Sequence, residues 1–161
     1  MPSDLLGQDG HRGYGGWSIG AINKNITNWI NQDKPDLILL MIGINGISHK
    51  SPEQLDKLVQ NIFKTKGDVK LIVAQITPKA SYQKVLYDYN TFNREQLVPK
   101  YKGQGRTIST VDLYQHFLVD SKDSKSIDSK KLSNRINHPT NELYAKMAQT
   151  WFQVIKKIVK N

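Results

Sequence analysis

The feature that most constrains the fold is a continuous apolar run bounded by turn-forming residues. Residues 37–42 read Leu-Ile-Leu-Leu-Met-Ile and lie between Pro35-Asp36 and Gly43. A strand with one face in water alternates apolar and polar residues, whereas a strand buried on both faces is apolar at every position. The run has the length of a strand and is too short for a membrane helix, which needs about 20 apolar residues. It therefore predicts a strand buried on both faces of a parallel sheet.

The rest of the chain alternates between helical periodicity and short apolar runs. Helices are expected over about residues 19–32, from residue 51, over 81–101 and from residue 139. Strands are expected over 36–42, 69–76 and 106–111, with a long loop over 112–133. This order is typical of a three-layer α/β/α fold in which right-handed crossovers build a parallel sheet. We expect a single domain over residues 1–161, because this length suits one core.

In a parallel α/β sheet, ligands bind beyond the carboxyl ends of the strands. The loops that follow Ile42 and Ile76, and the long loop before His138, are therefore the first places to look for a site. His138 stands directly before a predicted helix, whereas His49 and His116 are interpreted as surface residues. An imidazole suits acid–base catalysis because it titrates near neutral pH. A lone histidine before a helix is, however, more often a capping or surface residue than a catalyst, so position alone assigns His138 no role.

The chain is strongly basic, with 23 Lys and Arg residues against 14 Asp and Glu residues and a formal net charge of +9. Such a charge attracts nucleic acid, acidic polysaccharide or anionic lipid. The lysines are scattered, however, and no segment joins them with spaced aromatic residues as nucleic-acid-binding motifs do. We therefore expect no nucleic-acid partner and interpret the basic residues as a solvated surface.

Composition also excludes several kinds of site. The chain has no cysteine, which excludes disulfides, thiolate metal sites and a cysteine nucleophile. No apolar run approaches the length of a membrane helix, and the start of the chain lacks the basic and apolar parts of an export signal. We expect a soluble protein with no metal, no cofactor and no membrane partner, and the sequence leaves its compartment open.

Three segments carry motifs in a fixed order. Residues 9–19 read Asp-Gly-His-Arg-Gly-Tyr-Gly-Gly-Trp-Ser-Ile, residues 35–46 read Pro-Asp-Leu-Ile-Leu-Leu-Met-Ile-Gly-Ile-Asn-Gly, and residues 137–148 read Asn-His-Pro-Thr-Asn-Glu-Leu-Tyr-Ala-Lys-Met-Ala. They resemble the second, third and last sequence blocks of the SGNH (GDSL-type) ester hydrolases. The first of these segments is most similar to the form found in carbohydrate esterase family 3. The resemblance implies an SGNH or flavodoxin-like α/β/α fold and an acetyl esterase activity.

The resemblance implies roles for residues in all three segments. Ester hydrolysis places negative charge on the carbonyl oxygen, and pre-placed hydrogen-bond donors at that point contribute strongly to the rate. Gly16 and Asn45 match the donors of this oxyanion hole, and His138 matches the base that takes the proton of a serine hydroxyl. His11 and Trp17 stand where the substrate would be contacted. The substrate implied is a small acylated carbohydrate.

The chain departs from the family pattern at several positions. The Gly-Asp-Ser block, whose serine attacks the ester, has no match. Ser3 has no predicted strand before it, and Ser18 stands where a helix cap is expected. The acid that orients the histidine is replaced by Arg135 and Asn134, of which Asn134 could still hold the ring in one orientation. Gly46 stands where family members usually have aspartate.

The missing block predicts an N-terminally truncated SGNH sheet. In the family, the strand that bears the serine lies beside the strand matched here by residues 37–42. Without that neighbour, an apolar strand has an unpaired edge, which favours association with another strand. Either an upstream segment covers this edge, or a partner chain covers it, or the sheet is rebuilt. Our hypothesis is a homo-oligomer that forms through this edge.

Two functions from different classes remain open. The chain is either an ester hydrolase for acetylated carbohydrate, with its serine supplied by another segment or by a partner chain, or a catalytically inactive carbohydrate- or protein-binding domain that keeps the scaffold. A basic nucleic-acid-binding domain is a third interpretation, which rests on charge alone.

Overall fold

The computed structural model of the protein describes residues 11–134 and 136–160. Within them the α-helices are α1 (Ile19–Asp33), α2 (Ser51–Thr65), α3 (Lys84–Phe92), α4 (Val98–Gly103) and α5 (Asn141–Val159). The strands are β1 (Leu37–Leu40), β2 (Lys70–Gln75) and β3 (Ile108–Asp112). A π-helical turn, Asn93–Leu97, joins α3 to α4, and short 3-10 turns occupy Tyr114–Phe117 and Ser129–Lys131. None of the described helices combines the length and the apolar character that crossing a membrane requires.

In the described residues, the strands form one parallel sheet in the order β1-β2-β3. Leu40 of β1 lies opposite Val73 of β2, and Val73 lies opposite Thr110 of β3. Each crossover between neighbouring strands passes through a helix, as is usual for parallel strands. The predicted α/β class with a parallel sheet is confirmed. The carboxyl ends of the strands consequently lie along one end of the sheet.

Side chains of β2 alternate between two apolar clusters, one on each face of the sheet. Leu71 and Val73 are buried in the cluster that includes residues of α1, α2 and α3. Ile72 and Ala74 point the other way and are buried against α5. Helices thus cover both faces of β2, so the predicted three-layer arrangement is confirmed.

β1 is well covered on only one face. Leu40 is 8% exposed in the cluster with α1 and α2, whereas Leu39 is 47% exposed and Met41, just beyond the strand, is 43% exposed. The prediction that residues 37–42 are buried on both faces is therefore wrong for the face that carries Leu39 and Met41. The reason is the position of α5, which packs mainly over β2 and β3.

Side-chain caps determine where α1 and α5 begin. The hydroxyl of Ser18 accepts a hydrogen bond from the backbone N–H of Ala21 at 3.3 Å, and that of Thr140 accepts one from Leu143 at 3.4 Å. Each hydroxyl satisfies an N–H group that has no partner inside its helix. The predicted cap at Ser18 is confirmed.

The helix predicted over 81–101 is interrupted in the structure. α3 ends at Phe92, and the π-helical turn separates it from α4. Pro99 lies just beyond this turn, and because proline has no N–H it cannot donate to the carbonyl four residues earlier. A π turn is one of the ways in which a helix accommodates such a break. Periodicity alone predicts the helix but not this change of pitch.

Candidate active site

A hydrogen bond ties the loop before α1 to the loop after β1. The side-chain amide of Asn45 donates from Nδ2 to the carbonyl oxygen of Trp17 at 3.3 Å. Asn45 is half-buried, whereas Gly16, next to Trp17 in the chain, is exposed. The structure thus brings together the two segments that were predicted to supply oxyanion donors. Because an amide nitrogen carries two hydrogens, Asn45 has a second N–H beyond this bond.

Gly16 forms the turn that leads into α1. Its backbone φ is +79°, in the left-handed region, which glycine adopts without the steric cost that a Cβ imposes. Two residues later Ser18 caps the helix. The N-terminus of a helix carries a partial positive charge, which stabilises a nearby anion. The position of Gly16 therefore combines an exposed backbone with a favourable field for a developing oxyanion.

A buried tyrosine holds the loop after β1. The hydroxyl of Tyr89 donates to the carbonyl oxygen of Ile42 at 2.7 Å, and burial raises the pKa of Tyr89, which keeps this donor protonated. Gly43 has a φ of +125°, and a Cβ on it would come within 2.7 Å of the Tyr89 ring. Glycine is therefore the residue that fits, and the loop that it begins carries Asn45. Helical periodicity predicts the helix that carries Tyr89 but not this contact.

His138 lies in the turn that precedes α5, and it is exposed. Its carbonyl oxygen accepts the backbone N–H of Ser133 at 2.7 Å, and its neighbour Pro139 pairs with Leu132 in an isolated bridge. Thr140 then caps α5. These contacts hold the backbone of His138 between a buried leucine and a long helix. Its side chain remains on the surface, where a ligand can reach it.

Asn134 organises the same turn. Its Oδ1 atom accepts backbone N–H groups from Ile136 at 2.9 Å, from Asn137 at 3.0 Å and from His138 at 3.0 Å. The sequence allowed Asn134 to hold the imidazole ring; the contact that it makes with His138 in the structure is through the backbone. It is therefore a positioning residue for the turn, and it brings no negative charge to the ring. Arg135, the other residue at the place of the family's acid, lies outside the described residues.

The His138 turn and Asn45 lie at the same end of the sheet. Asn45 follows the carboxyl end of β1, and the carbonyl of Ile136 accepts the N–H of Ala80, which follows the carboxyl end of β2. Ligands of parallel sheets bind at this end. The hydrogen bonds described for His138 run within its own turn, and none of them reaches Asn45 or Gly16.

Tyr14, Trp17 and Trp29 form a stacked group, the aromatic platform, next to the Asn45 contact. The Tyr14 ring lies 4.3 Å from that of Trp17 and 5.2 Å from that of Trp29, with interplanar angles of 20° and 11°. The two indoles are 6.1 Å apart, which is too close for them to lie on opposite faces of Tyr14. One side of Tyr14 therefore covers both indoles, and the residue is 40% exposed. Such a ring can stack against the apolar face of a ligand.

Arg12 and His11 stabilise the loop beneath the platform. The Arg12 guanidinium donates from Nε to Asp33 at 3.0 Å and lies 5.8 Å from the centroid of the Trp29 ring. The hydrogen bond to Asp33 raises the pKa of Arg12. His11, which was predicted to contact substrate, is exposed, and its Nδ1 accepts the backbone N–H of Gly13 at 3.2 Å. This bond orients the imidazole and leaves Nε2 as the nitrogen for a ligand.

Two serines were weighed as nucleophiles from the sequence. Ser3 lies outside the described residues. Ser18 is engaged as the cap of α1, which agrees with the capping role predicted for it. Within 11–134 and 136–160, His, Asp and Glu side chains do not gather in a group of three that could hold a metal ion.

Solved structures of known hydrolases share this fold. A family 3 carbohydrate esterase of Clostridium thermocellum is 26% identical with a TM-score of 0.74, and the match covers 93% of this chain and 71% of that one. A family 3 carbohydrate esterase of Talaromyces cellulolyticus is 19% identical with a TM-score of 0.74, over 94% and 72% of the two chains. A GDSL-like lipase of Bacteroides thetaiotaomicron is 18% identical with a TM-score of 0.71, over 96% and 79%.

Sequence comparison finds a curated relative. An endoglucanase-like protein of Acetivibrio thermocellus, endoglucanase X, is 29% identical over 147 residues, which are 89% of this chain. The chain spans 60% of the length of that relative. No family model matches the chain. The fold and these similarities confirm the resemblance predicted from the three sequence blocks: the chain resembles the SGNH (GDSL-type) ester hydrolases, carbohydrate esterase family 3 among them.

Proposed function

We propose that the chain carries the histidine and the oxyanion donors of an ester hydrolase that acts on small acylated carbohydrates. The observation that carries this proposal is the hydrogen bond from Asn45 to the carbonyl of Trp17, because it joins the two loops matched to the oxyanion hole. The His138 turn, at the same end of the sheet, adds a base. Similarity to a family 3 carbohydrate esterase supports the substrate class.

The proposed reaction is acyl transfer in two steps. A serine oxygen bonds to the acyl carbon, its proton passes to the imidazole of His138, and the carbonyl electron pair moves onto the acyl oxygen. The backbone N–H of Gly16 and the side chain of Asn45 donate to that oxygen. The bond to the sugar oxygen then breaks, and this oxygen takes the proton from His138. Water repeats the sequence on the acyl-serine, which releases the acid and restores the serine.

In this proposal the serine comes from a segment outside these residues or from a partner chain. The resemblance assigns it to a strand beside β1. β1 lies at the edge of the described sheet, where its backbone N–H and C=O groups suit pairing with another strand. Either source would bring the nucleophile to the end of the sheet where Asn45 lies.

Where no serine-bearing strand covers it, the edge of β1 is the surface that we propose for self-association. An edge strand offers backbone N–H and C=O groups to another strand. A two-fold arrangement would pair β1 of one copy with β1 of a second copy, since closed dimers use the same surface on both subunits. The exposed side chain of Leu39 would then gain apolar burial.

The sugar part of the substrate is assigned to the aromatic platform. Trp17 connects the two parts of the site, because its carbonyl oxygen binds Asn45 and its ring stacks on Tyr14. An exposed tyrosine presents both an apolar ring and a polar hydroxyl, which suits a sugar. This link supports a sugar subsite next to the oxyanion positions, with His11 beside it.

The second candidate is a catalytically inactive carbohydrate- or protein-binding domain. Two observations favour it. Asn134 brings no carboxylate to His138 and binds its backbone, and Gly46 stands where the family usually has aspartate. An imidazolium formed during acyl transfer would lack the negative charge that stabilises it. The aromatic platform would still bind sugar in such a protein.

Hydrolysis of p-nitrophenyl acetate separates the two candidates. We expect turnover by the chain, assayed both alone and joined to any residues that its gene encodes upstream. His138→Ala and Asn45→Ala should each lower the rate by about 100-fold or more, because a general base contributes about 10²–10⁴ in rate and one oxyanion donor about 10²–10³. His49→Ala is the matched control, since His49 is an exposed histidine outside the site, and should keep the parent rate. Absence of turnover, or turnover indifferent to His138, would contradict the esterase proposal and support the binding domain.

A further inference from the structure

A polar cavity of about 240 Å³ lies at the carboxyl ends of β2 and β3. Its lining, called here the β2–β3 cavity, includes Gln75, Tyr87, Arg94, Asp112, Gln115 and Lys122. None of the candidate active-site residues contributes to it. The carboxyl end of a parallel sheet is where ligands bind, and nothing in the proposed esterase chemistry uses this part of it.

The floor of the cavity contains a buried amide. Gln75 is the last residue of β2 and is 3% exposed, and the four residues before it, 71–74, are apolar. Burying an amide is unfavourable unless it is hydrogen-bonded. The Oε1 atom of Gln75 accepts a hydrogen bond from Nη1 of Arg94 at 3.0 Å. A buried polar side chain and a cation are thereby fixed together at the cavity.

Arg94 owes its position to the π-helical turn Asn93–Leu97. Its Nη2 atom donates to Glu95 at 2.8 Å, and this bond raises the pKa of Arg94. The guanidinium is thus held from two sides, by Glu95 and by Gln75, before any ligand arrives. π turns are rare in helices and occur frequently at functional sites. The turn here places a fixed guanidinium beside the end of β2.

The charges that line the cavity favour an anion. Arg94 and Lys122 are cationic, and Asp112 is the acidic residue of the lining. The carboxylate of Asp112 is already engaged, since its Oδ1 accepts backbone N–H groups from Tyr114 at 2.9 Å and Gln115 at 3.2 Å. Hydrogen bonds of this kind offset part of its negative charge. The lining therefore presents two cations and one carboxylate. Asp112 serves the turn after β3, and Arg94 is ion-paired with Glu95, so Lys122 and the remaining N–H groups of the Arg94 guanidinium are the donors for an anion.

The outer wall of the cavity is preformed. The hydroxyl of Tyr114 donates to the carbonyl oxygen of Ser124 at 2.9 Å, which anchors the loop that carries Lys122. Within this loop, Val119 donates its N–H to the carbonyl of Ser126 at 2.7 Å, and the Ser126 hydroxyl donates to the carbonyl of Asp120 at 2.9 Å. A wall held in this way costs less ordering when a ligand binds.

We propose that the β2–β3 cavity binds one uronic acid unit of an acidic saccharide. A carboxylate matches the guanidinium of Arg94 and the ammonium of Lys122. The amides of Gln75 and Gln115 suit sugar hydroxyls, and the ring of Tyr87 offers an apolar surface. The volume is below the roughly 300–1,000 Å³ typical of pockets for drug-sized ligands, which limits the occupant to a single sugar unit. The net charge of +9 attracts acidic polymers.

NMR titration of the chain with D-glucuronic acid, D-glucose and acetate tests this proposal without requiring catalysis. We expect saturable shifts of the Gln75 and Gln115 amide signals with glucuronic acid, and binding at least about tenfold weaker for glucose and for acetate. A glucose affinity equal to that of glucuronic acid would overturn the role of the cations. An acetate affinity equal to that of glucuronic acid would overturn the role of the sugar hydroxyls.

Charge-matched variants complete the test. Lys122→Gln and Arg94→Gln should each weaken glucuronic acid binding by about tenfold or more, whereas Lys157→Gln, an exposed lysine on α5, should change it less than about twofold. Lys122 is exposed, so its substitution tests the site even where loss of Arg94 perturbs the fold. Equal weakening by all three variants would show attraction to net charge alone and would refute the site. Because the readout is binding, failure here leaves the esterase proposal untouched.

Discussion

β1 and β2 are neighbouring strands of similar apolar sequence, but the helices cover them differently. Leu39 and Ile72 are register partners in the parallel sheet and point to the same face. Ile72 is 0% exposed beneath the cluster that contains α5, whereas Leu39 is 47% exposed. The difference shows that the apolar content of a strand favours burial but does not produce it. The position of α5 decides which strand is covered.

The largest expected effect is a difference in stability between alanine variants of Ile72 and Leu39. Ile72→Ala should lower the free energy of unfolding by about 2–5 kcal/mol, because it removes buried methyl groups and leaves a cavity. Leu39→Ala should cost less than about 1 kcal/mol, since about half of its side chain already contacts solvent. Urea denaturation of the two variants measures both values. Equal losses would mean that Leu39 is covered in solution, by a partner or by another segment.

The two strands also differ in how their carboxyl ends are held. After β1, Gly43 lies against the ring of Tyr89 with a φ of +125°, and it begins the loop of Asn45. After β2, the side chain of Asn90 binds both the N–H and the C=O of Ile76, at 2.8 Å and 2.9 Å. At the end of β2, the side chain of Asn90 thus provides the hydrogen bonds that a neighbouring strand would otherwise make. At the end of β1, the loop depends on a close approach of the backbone to Tyr89 that only glycine allows.

Gly43→Ala should therefore destabilise the protein by about 1–3 kcal/mol through backbone strain, with a further loss from the contact with Tyr89. Gly46→Ala is the matched control. Gly46 also has a positive φ, of +71°, but a Cβ there would meet no atom within 4 Å. Gly46→Ala should therefore show the cost of backbone strain without the cost of a steric clash. Thermal denaturation of both variants gives the comparison, and an equal loss in the two would remove the packing argument for Gly43.

The smallest expected effect concerns association through the edge of β1. If the chain pairs through this edge, Leu39→Lys should weaken the dimer by about tenfold or more, because charged residues at an edge oppose strand pairing. Val119→Lys, at a side chain that is 75% exposed elsewhere on the surface, should leave association unchanged. Light scattering over a range of concentrations measures both. A parent chain that stays monomeric would contradict the proposal.

Much of the fold was predictable because its signals are local. Helical periodicity and short apolar runs indicated the alternating order of elements, and Ser18 indicated the start of α1. These signals work because apolar spacing and capping depend on residues within one turn or one strand. The role of Asn134 toward the imidazole ring stays a prediction; the bond that the structure describes between the two residues is to the backbone N–H of His138.

What the sequence determined by itself is the set of elements and the residues that stand at the carboxyl ends of the strands. The tertiary structure decided which faces of those strands are covered, how Tyr89 holds Gly43, and how Gln75, Arg94 and Asp112 meet in one cavity. The reason is physical: a local pattern reports what a segment can bury, whereas burial and side-chain contact depend on how distant helices pack over the sheet.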